Sequence, residues 1–356
     1  MCAVPGPSNR RTLLATAGRD ATVRLWDPAT ATPVGAPLTG HTSGVWAVCA
    51  VPGPGGRTLL ATGSWDATVR LWDPGTGTPV GAPLSGHTDP VWAVCTVPGP
   101  GGRTLLATAG LDATVRLWDP ATGTQIGEPL TGHTDPVWAV CAVPGPGGRT
   151  LLASAGWEAT VRLWDPATAT PVGAPLTGHT GGVGAVCAVP GPGGLALLAT
   201  GGGDGTVRLW DPATGTPVGE PMRRHTSGVG AMCAVPGPGG RTLLATAGLD
   251  ATVRLWDPAT GTQIGEPLTG HTDRVGAMCA VPRPGRRTLL ATAGLDATVR
   301  LWDPATGTPI RVLQVGIGVN ALCASPDGSL AIATSEGVAV LVVRLAAEDV
   351  IPHVES

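Results

Sequence analysis

Histidine, hydroxyl and carboxylate side chains recur in a fixed order along this chain of 356 residues. His41, Thr62 and Asp66 form one such set, and five more sets follow it at regular intervals. An imidazole between a hydroxyl and a carboxylate is the arrangement of a nucleophilic catalytic triad. However, the hydroxyl residue is Thr in five of the six sets, and six near-copies of one active site would be unusual. We therefore expect these sets to be structural, because geometry rather than residue type defines a triad.

Other candidates for site chemistry are few. General acid–base catalysis usually needs a spare histidine or carboxylate, but six of the seven histidines belong to the repeated sets and His353 lies near the C-terminus. Asp89, Asp135 and Asp273 are interpreted as turn residues. No helix is predicted, so no phosphate-binding glycine loop lies between a strand and a helix. The sequence predicts no catalysis and no cofactor.

The eight cysteines do not indicate disulfides or a metal site. Each occupies the same position in its own unit, within an apolar run, which is typical of a small buried hydrophobic residue. No Cys-x-x-Cys pair is present, so we predict no zinc site. The cysteines are Cys2, Cys49, Cys95, Cys141, Cys187, Cys233, Cys279 and Cys323.

Charge and composition narrow the classes of partner and the compartment. The net charge is −3 with no basic stripe, which makes nucleic acid a poor partner. The N-terminus does not resemble a signal peptide, and the apolar stretch VAVLVV is too short to span a bilayer. We therefore expect a cytoplasmic protein with no membrane contact. All 22 basic residues are arginine and Phe and Tyr are absent, which suggests GC-rich coding and a bacterial, actinobacterial source.

A dipeptide repeat dominates the sequence. The pair Trp-Asp recurs every 46 residues, and the segment from Thr104 to Asp135 returns unchanged from Thr242 to Asp273. A fixed period of this size indicates stacked or radial structural units. The seven pairs are Trp26-Asp27, Trp72-Asp73, Trp118-Asp119, Trp164-Asp165, Trp210-Asp211, Trp256-Asp257 and Trp302-Asp303.

The unit from Gly40 to Leu84 predicts a four-stranded antiparallel sheet. VWAVCAV and TLLATGS are apolar on both faces, TVRLWD is a third strand, and PVGAPL is a weak fourth strand with Pro79 and Pro83. Proline cannot donate to a strand ladder, so the fourth strand belongs at the outer edge. One sheet cannot bury both of its faces alone, whereas radially arranged sheets bury each face against a neighbour. We therefore predict an all-β, closed β-propeller of four-stranded antiparallel blades.

Gly-His followed by TVRLWD, with an Asp in the turn between, resembles the WD-repeat family over residues 1 to about 345. The resemblance implies a hydrogen-bonded tetrad in each blade, in which the Asp orients the His and the Thr links the His to the Trp indole. A buried Trp N–H and a buried carboxylate both need such partners. Glu158 replaces the Asp of one set, so that set is expected to be irregular. Thr16, Asp20 and Trp26 lack a histidine.

The resemblance implies the following structural tetrads: His41, Thr62, Asp66 and Trp72; His87, Thr108, Asp112 and Trp118; His133, Ser154, Glu158 and Trp164; His179, Thr200, Asp204 and Trp210; His225, Thr246, Asp250 and Trp256; His271, Thr292, Asp296 and Trp302.

Two ring closures are compatible with the repeats. Eight blades would use residues 1–345 as one propeller, with a degenerate last unit in which Val342 lies near the Trp position. Seven blades would leave residues 1–28 as a remnant of an upstream unit, with Pro33 to Leu38 completing the last blade. Eight is favoured, because seven would expose apolar strand edges near the N-terminus. Residues 346–356 are a tail. The start within a strand suggests that the chain is the C-terminal part of a longer protein.

Two variable positions predict a partner-binding surface, which the resemblance to the WD-repeat family implies lies on the top face of the propeller. The residue before the turn Asp is apolar in most units, and the second residue of the inner strand is Trp in three units and Gly in three others, Gly184, Gly230 and Gly276. Exposed apolar patches mark interaction sites. An alternative is that the strand tryptophans pack between blades. The predicted partner-binding residues are Trp46, Trp65, Trp92, Leu111, Trp138, Trp157, Leu249 and Leu295.

These features predict a monomeric, non-catalytic scaffold that binds partner proteins or peptides on its top face. A lectin-like or small-ligand propeller is the alternative, because an arc of tryptophans could stack on sugars and a channel mouth is a natural concave site. A propeller enzyme is a third and weaker hypothesis.

Overall fold

A computed structural model describes residues 1–6, 12–283, 285–326, 328–334 and 337–343. The described strands form eight antiparallel sheets that follow one another along the chain. We number these sheets 1 to 8. Within each of them, consecutive strands pair in a meander that begins with the inner strand, except that the extra strand of sheet 5, Met222–Arg223, pairs with Thr206–Asp211.

Each of the first four sheets ends in a fourth strand of only two residues. Sheet 1 comprises Cys2–Pro5, Thr12–Ala17, Val23–Asp27 and Thr32–Pro33. Sheet 2 comprises Val45–Pro52, Thr58–Ser64, Val69–Asp73 and Thr78–Pro79. Sheet 3 comprises Val91–Pro98, Thr104–Gly110, Val115–Asp119 and Thr124–Gln125. Sheet 4 comprises Val137–Pro144, Thr150–Gly156, Val161–Asp165 and Thr170–Pro171.

The later sheets vary at their outer edge. Sheet 5 comprises Val183–Pro190, Ala196–Gly202, Thr206–Asp211, Thr216–Pro217 and the extra strand Met222–Arg223. Sheet 6 comprises Val229–Pro236, Thr242–Gly248, Val253–Asp257 and Thr262–Leu268. Sheet 7 comprises Val275–Val281, Leu289–Gly294, Thr298–Asp303 and Thr308–Gln314. Sheet 8 comprises Val319–Ala324, Leu330–Thr334 and Gly337–Val343.

Single turns of 3-10 helix are the helical elements among the described residues, and none of them could cross a membrane. They close the hairpins between inner and second strands, where Gly-Pro-rich loops were predicted. Gly55 adopts a φ of 68°, which a residue with a side chain rarely takes. The turns are Pro54–Gly56, Pro100–Gly102, Pro146–Gly148, Pro192–Gly194 and Pro238–Gly240.

The predicted count of eight four-stranded blades is wrong. Seven units contain a fourth strand, whereas sheet 8 has three strands within the described residues. The register of sheet 8 places Val343, rather than Val342, opposite Leu330, where the other sheets have their Trp. An outer strand for this unit would have to come from residues 344–356, which lie outside the described residues together with the predicted tail.

The alternative count of seven four-stranded blades is confirmed, but the N-terminal residues that it left over form one of those seven blades. The N-terminal strands are not left over, because Cys2–Pro5, Thr12–Ala17 and Val23–Asp27 pair in sheet 1. Pro33 pairs with Trp26, and Leu38 bridges Val23, so the segment from Pro33 to Leu38 is the outer edge of sheet 1 itself. Pairing within the local meander leaves no part of it for the last unit.

The hydrophobic core lies between neighbouring sheets rather than within one. The second strand of sheet 2 is buried on both faces from Leu59 to Ser64, as an apolar strand between two sheets should be. Val51 and Leu59 of sheet 2 pack in one cluster with Leu106 and Trp118 of sheet 3. Burying both faces against siblings removes the need for a core inside each small unit.

The two ends of the series meet. Leu14 and Trp26 of sheet 1 form a buried cluster with Ala331 of sheet 8, and Cys323 packs against it. Burial, aided by the neighbouring Cys323 thiol, raises the pKa of Cys2 to about 12. Sheet 8 therefore packs against sheet 1.

Candidate interaction face

The tetrad of sheet 2 shows how the repeated polar residues are held. His41 Nδ1 lies 2.8 Å from an Asp66 carboxylate oxygen, and His41 Nε2 lies 2.8 Å from Thr62 Oγ1. Trp72 donates its indole N–H to the same Thr62 oxygen at 2.9 Å. The second strand supplies the Thr, the third strand the Trp, and the turn between them the Asp. A single chain of hydrogen bonds thus ties the loop before the inner strand to the two middle strands.

The hydrogen bonds of His41 fit a neutral imidazole ring. The Thr62 oxygen accepts from Trp72, so its own proton is available for Nε2, while the Nδ1 proton is donated to Asp66. Burial lowers the pKa of His41, although the hydrogen bond to Asp66 opposes this effect. Burial alone would raise the pKa of Asp66, but hydrogen bonds from Thr68, Thr42 and His41 hold it at about 2. The pair therefore combines a neutral imidazole with an ionised carboxylate.

The structure brings the same residues together in the other five sets. The Nε2-to-hydroxyl distances are 2.7–3.0 Å and the indole bonds 2.8–2.9 Å. Nδ1 lies 2.9–3.1 Å from the nearer carboxylate oxygen of the Asp in four of them. In sheet 1, Trp26 bonds to Thr16 at 2.9 Å, while Asp20 turns to Thr22 and Arg24 in the absence of a histidine.

The set that contains Glu158 is complete but irregular. Glu158 Oε1 contacts His133 Nδ1, so the longer side chain does reach the histidine. In sheet 2 the shorter Asp66 also accepts the backbone amides of Thr42 and Thr68, both at 2.9 Å. Glu158 accepts neither corresponding amide among the described residues, and its Oε2 is buried without a partner. The extra methylene moves the carboxylate away from the amides that the turn presents.

The hydroxyl groups are inaccessible to a substrate. All six, from Thr62 of sheet 2 to Thr292 of sheet 7, belong to residues with no exposed surface. Each oxygen is also engaged by an indole N–H, which lies where an attacking group would need free space. The arrangement has the distances of a triad, yet it can only hold strands together.

The turn residue before each Asp is presented rigidly at the opposite end of the strands from the Gly-Pro loops. Trp65 donates its amide to Gly44 O at 2.9 Å, and Trp157 donates to Pro136 O at 3.0 Å. These two side chains are 47% and 59% exposed. Leu249 is 46% exposed, whereas Leu111 and Leu295 are half-buried. The turn apolar residues therefore do not form one even patch.

A β-bulge directs the strand tryptophans. The inner strand of sheet 2 shifts register between Val45 and Ala47, so Trp46 is the extra residue, and Trp92 and Trp138 lie at the same shift. A bulge re-aims the side chain that it carries. Trp46 is 37% exposed, while Trp92 and Trp138 are half-buried. The sequence pattern did not predict this bulge.

Five of the predicted residues form a continuous row of indoles, which we call the Trp row. Its ring centroids are 5.7 Å apart between Trp65 and Trp46, 5.0 Å between Trp46 and Trp92, 4.8 Å between Trp92 and Trp138, and 5.3 Å between Trp138 and Trp157. The two exposed turn tryptophans thus flank the three strand tryptophans. The strand tryptophans pack on one another and still keep exposed surface, so both interpretations of them hold in part.

Sequence reasoning missed one member of this surface. The Arg19 guanidinium carbon lies 5.3 Å from the Trp46 ring centre, a cation–π distance. Arg19 occupies the variable turn position, but the predicted partner-binding surface rests on exposed apolar residues and therefore omits it. Arg19 is the one basic residue among the residues at this turn position, and that difference was the sequence signal that could have revealed it.

The inner-strand bulges of the next three sheets carry glycine instead of tryptophan. We call sheets 2–4, which carry the Trp row, the aromatic half, and sheets 5–7 the glycine half. Gly184, Gly230 and Gly276 occupy the bulge in the glycine half. A Cβ on Gly184 or Gly276 would meet no atom within 4 Å. The face is therefore asymmetric: its aromatic half presents the Trp row, and its glycine half has no side chain at the bulge positions. No group of three or more His, Cys, Asp or Glu in the described part of the chain is placed to hold a metal ion.

Comparison with known proteins agrees with this architecture. The family model "WD domain, G-beta repeat" matches residues 2–27, 32–73, 77–119, 123–165, 170–211, 215–257 and 261–303. No curated protein matches the sequence significantly. Among solved structures, the computationally designed Ika8 protein in crystal packing No.1 in P63 is similar, with a TM-score of 0.76, 23% identity and 96% coverage of both chains. That level of identity shows the fold alone. The seven matched repeats span most of the sequence, and the chain belongs to the WD-repeat family.

Proposed function

We propose that this protein is a non-catalytic scaffold that binds a partner protein or peptide along the Trp row. The observation that carries the proposal is the unbroken contact of five indoles on one half of one face. Trp is strongly enriched among the residues that dominate binding energy at interfaces. An extended peptide rises about 3.3 Å per residue, so a segment of roughly six residues matches the length of the row.

The Trp row is a poor choice for stability alone. The indole N–H of Trp138 is buried without a partner among the described residues, and such a donor costs about 1–3 kcal/mol. The equivalent positions in the glycine half carry no side chain beyond hydrogen, and their sheets form equally well. Sites that break a local rule without a structural gain are often functional. This supports a role for the row in binding.

The absence of catalysis is part of the same proposal. The six imidazole–hydroxyl pairs would be the natural catalytic groups, and their hydroxyls are buried under indoles. Partner binding needs only a rigid surface, which the fixed turn amides supply. The family is generally non-catalytic, which favours the same conclusion.

The test compares three immobilised proteins in extract from the source organism: wild type, a Trp65→Ala/Trp157→Ala variant and a Leu249→Ala control. Leu249 is as exposed as Trp65 but belongs to the glycine half. We expect quantitative mass spectrometry to show partners that wild type and control retain and the double variant loses. These partners should bind purified wild type directly. Recovery of the same partners on all three baits would refute the proposal.

A carbohydrate ligand is the second candidate, because stacked indole faces also fit sugar rings. A glycan array probed with wild type and with Trp92→Ala separates the two. Glycan binding that Trp92→Ala abolishes, together with no variant-dependent protein partner, would replace the scaffold proposal with a lectin-like one.

A further inference from the structure

The face opposite the Trp row carries a repeated surface ion pair. An arginine that follows the Gly-Pro loop reaches the Asp of the Trp-Asp pair in sheets 2, 3, 4 and 6, with separations of 3.3–3.7 Å. These arginine side chains are 64–74% exposed. Arg287 occupies the same sequence position in sheet 7. The pairs are Arg57–Asp73, Arg103–Asp119, Arg149–Asp165 and Arg241–Asp257.

Sheet 5 departs from this pattern. Leu195 replaces the arginine, Ala196 replaces the following threonine, and Leu195 is 65% exposed. Asp211 therefore has no arginine partner among the described residues. Its outer carboxylate oxygen accepts instead from the Thr214 hydroxyl at 3.1 Å. One repeat has thus exchanged a charged surface for an apolar one while keeping the carboxylate.

A cavity of about 500 Å³ opens at this place between sheets 4 and 5. Its wall is mainly apolar, and Asp211 is the one ionisable residue in its lining. The lining includes Pro144, Pro146, Val189, Leu195, Asp211 and Pro212. A concave apolar wall with a single charged group is the usual form of a binding pocket.

We propose that this cavity binds a partner segment in which an apolar side chain stands next to an arginine. The apolar side chain packs against Leu195 and the prolines, and the arginine pairs with Asp211. The chemistry of the partner follows from four other repeats, since sheets 2, 3, 4 and 6 each supply to their own Asp the arginine that sheet 5 lacks. An acidic segment is disfavoured because Asp211 would repel it, and guanidinium binds a carboxylate with two parallel hydrogen bonds.

This site is independent of the Trp row. The Gly-Pro loops and the turns after Trp-Asp lie at one end of the strands, and the Trp-bearing turns lie at the other. The proposal goes beyond the scaffold function above, and either can fail without the other.

The experiment selects peptides from a phage-displayed random heptamer library on the full chain. Selection is repeated with soluble Leu195→Arg protein as competitor, which removes binders of all other surfaces. We expect enrichment of peptides with Leu, Ile or Val adjacent to Arg. The variant should fold, because all six other Trp-Asp repeats carry arginine at this position.

Affinity of the consensus peptide, measured by fluorescence anisotropy, completes the test. We expect at least about tenfold weaker binding to Leu195→Arg and to Asp211→Asn, and unchanged binding to Trp65→Ala/Trp157→Ala. No enrichment, enrichment without arginine, or equal binding to wild type and Leu195→Arg would overturn the proposal.

A gain-of-site variant provides the matched control. Arg103→Leu with Thr104→Ala gives sheet 3 the loop residues of sheet 5 and leaves Asp119 without its arginine. We expect the stoichiometry of consensus-peptide binding to rise from one to two. A stoichiometry of one would show that the exchange of arginine for leucine does not create the site, and would overturn the proposal.

Discussion

The aromatic half and the glycine half are built on one frame and differ in what they present. Trp118 and Trp256 have the same burial and donate to Thr108 and Thr246 at 2.9 and 2.8 Å. The inner strands carry the same bulge, but it bears Trp in one half and Gly in the other. The comparison teaches that the repeated residues determine the blade architecture, whereas the positions that vary between repeats determine which side chains the exposed face presents.

The largest expected effect tests whether the frame is indeed common. Trp118→Ala in the aromatic half and Trp256→Ala in the glycine half should each lower the free energy of unfolding by about 3–5 kcal/mol, because each removes a buried indole and leaves a cavity. Urea denaturation followed by circular dichroism measures both. The two losses should agree within about 1 kcal/mol. A small loss of unfolding free energy in either variant would show that the two halves do not share the same frame.

The next effect is the pH dependence that both halves should share. Burial lowers the pKa of His133 in the aromatic half and of His225 in the glycine half. In the unfolded chain histidine titrates near pH 6.5, so below that pH the unfolded state binds more protons and the free energy of unfolding falls. The pKa of Asp112 and that of Asp204 are lowered to about 2, so a second fall is expected between about pH 4 and pH 2.

Urea midpoints measured from pH 7.5 down to pH 2.5 provide the check. Histidine NMR titrations should show pKa values below 6.5 for His133 and His225. A urea concentration at the unfolding midpoint that rises as the pH falls from 7 to 5 would contradict the neutral-histidine arrangement.

Glu158 allows the comparison to be sharpened within the aromatic half. Glu158→Asp should raise the free energy of unfolding by about 1 kcal/mol, because an Asp accepts two turn amides and leaves no buried oxygen unpaired. The same urea experiment measures it. The reverse change at an equivalent position, Asp112→Glu, is the control and should cost a similar amount. Equal stability of wild type and Glu158→Asp would show that water already satisfies the buried oxygen.

The fold could be predicted from the sequence where the repeat itself carries the information. The period, the apolar strands and the edge prolines all recur, so errors at one unit are corrected by the others. The blade count failed because the last unit has lost its Gly-His and Trp-Asp markers, and because it packs against sheet 1 at the other end of the chain. Long-range contacts of that kind leave no local pattern.

The candidate site was only half visible in the sequence. The identity of Trp46, Trp92 and Trp138 at one position indicated a related role, but their stacking depends on a bulge and on the spacing of neighbouring inner strands. Leu195 was visible as a departure from the repeat, yet its meaning required the Arg–Asp pairs of the other sheets. A substitution in one repeat becomes informative only when the contact that it deletes is known.

The smallest expected effect tests whether the bulge positions of the glycine half have space for a large side chain. Gly184→Trp and Gly276→Trp should both be accommodated, because a Cβ at either position meets nothing within 4 Å. They differ in their neighbours. Sheet 5 adjoins sheet 4, so the new indole of Gly184→Trp can stack on Trp138 and extend the Trp row, whereas Gly276→Trp has Gly230 and Asn320 on the neighbouring inner strands.

We therefore expect Gly184→Trp to be more stable than Gly276→Trp by about 0.5–1.5 kcal/mol, the contribution of one aromatic pair. Urea denaturation gives the difference, and near-ultraviolet circular dichroism should change more for Gly184→Trp because coupled indoles alter that spectrum. If both variants lose more than about 2 kcal/mol, the bulge glycines are needed for close packing. The difference between Trp and Gly at the bulge would then arise from the packing of the sheets, and the glycine half would no longer be a valid reference for the role of the Trp row.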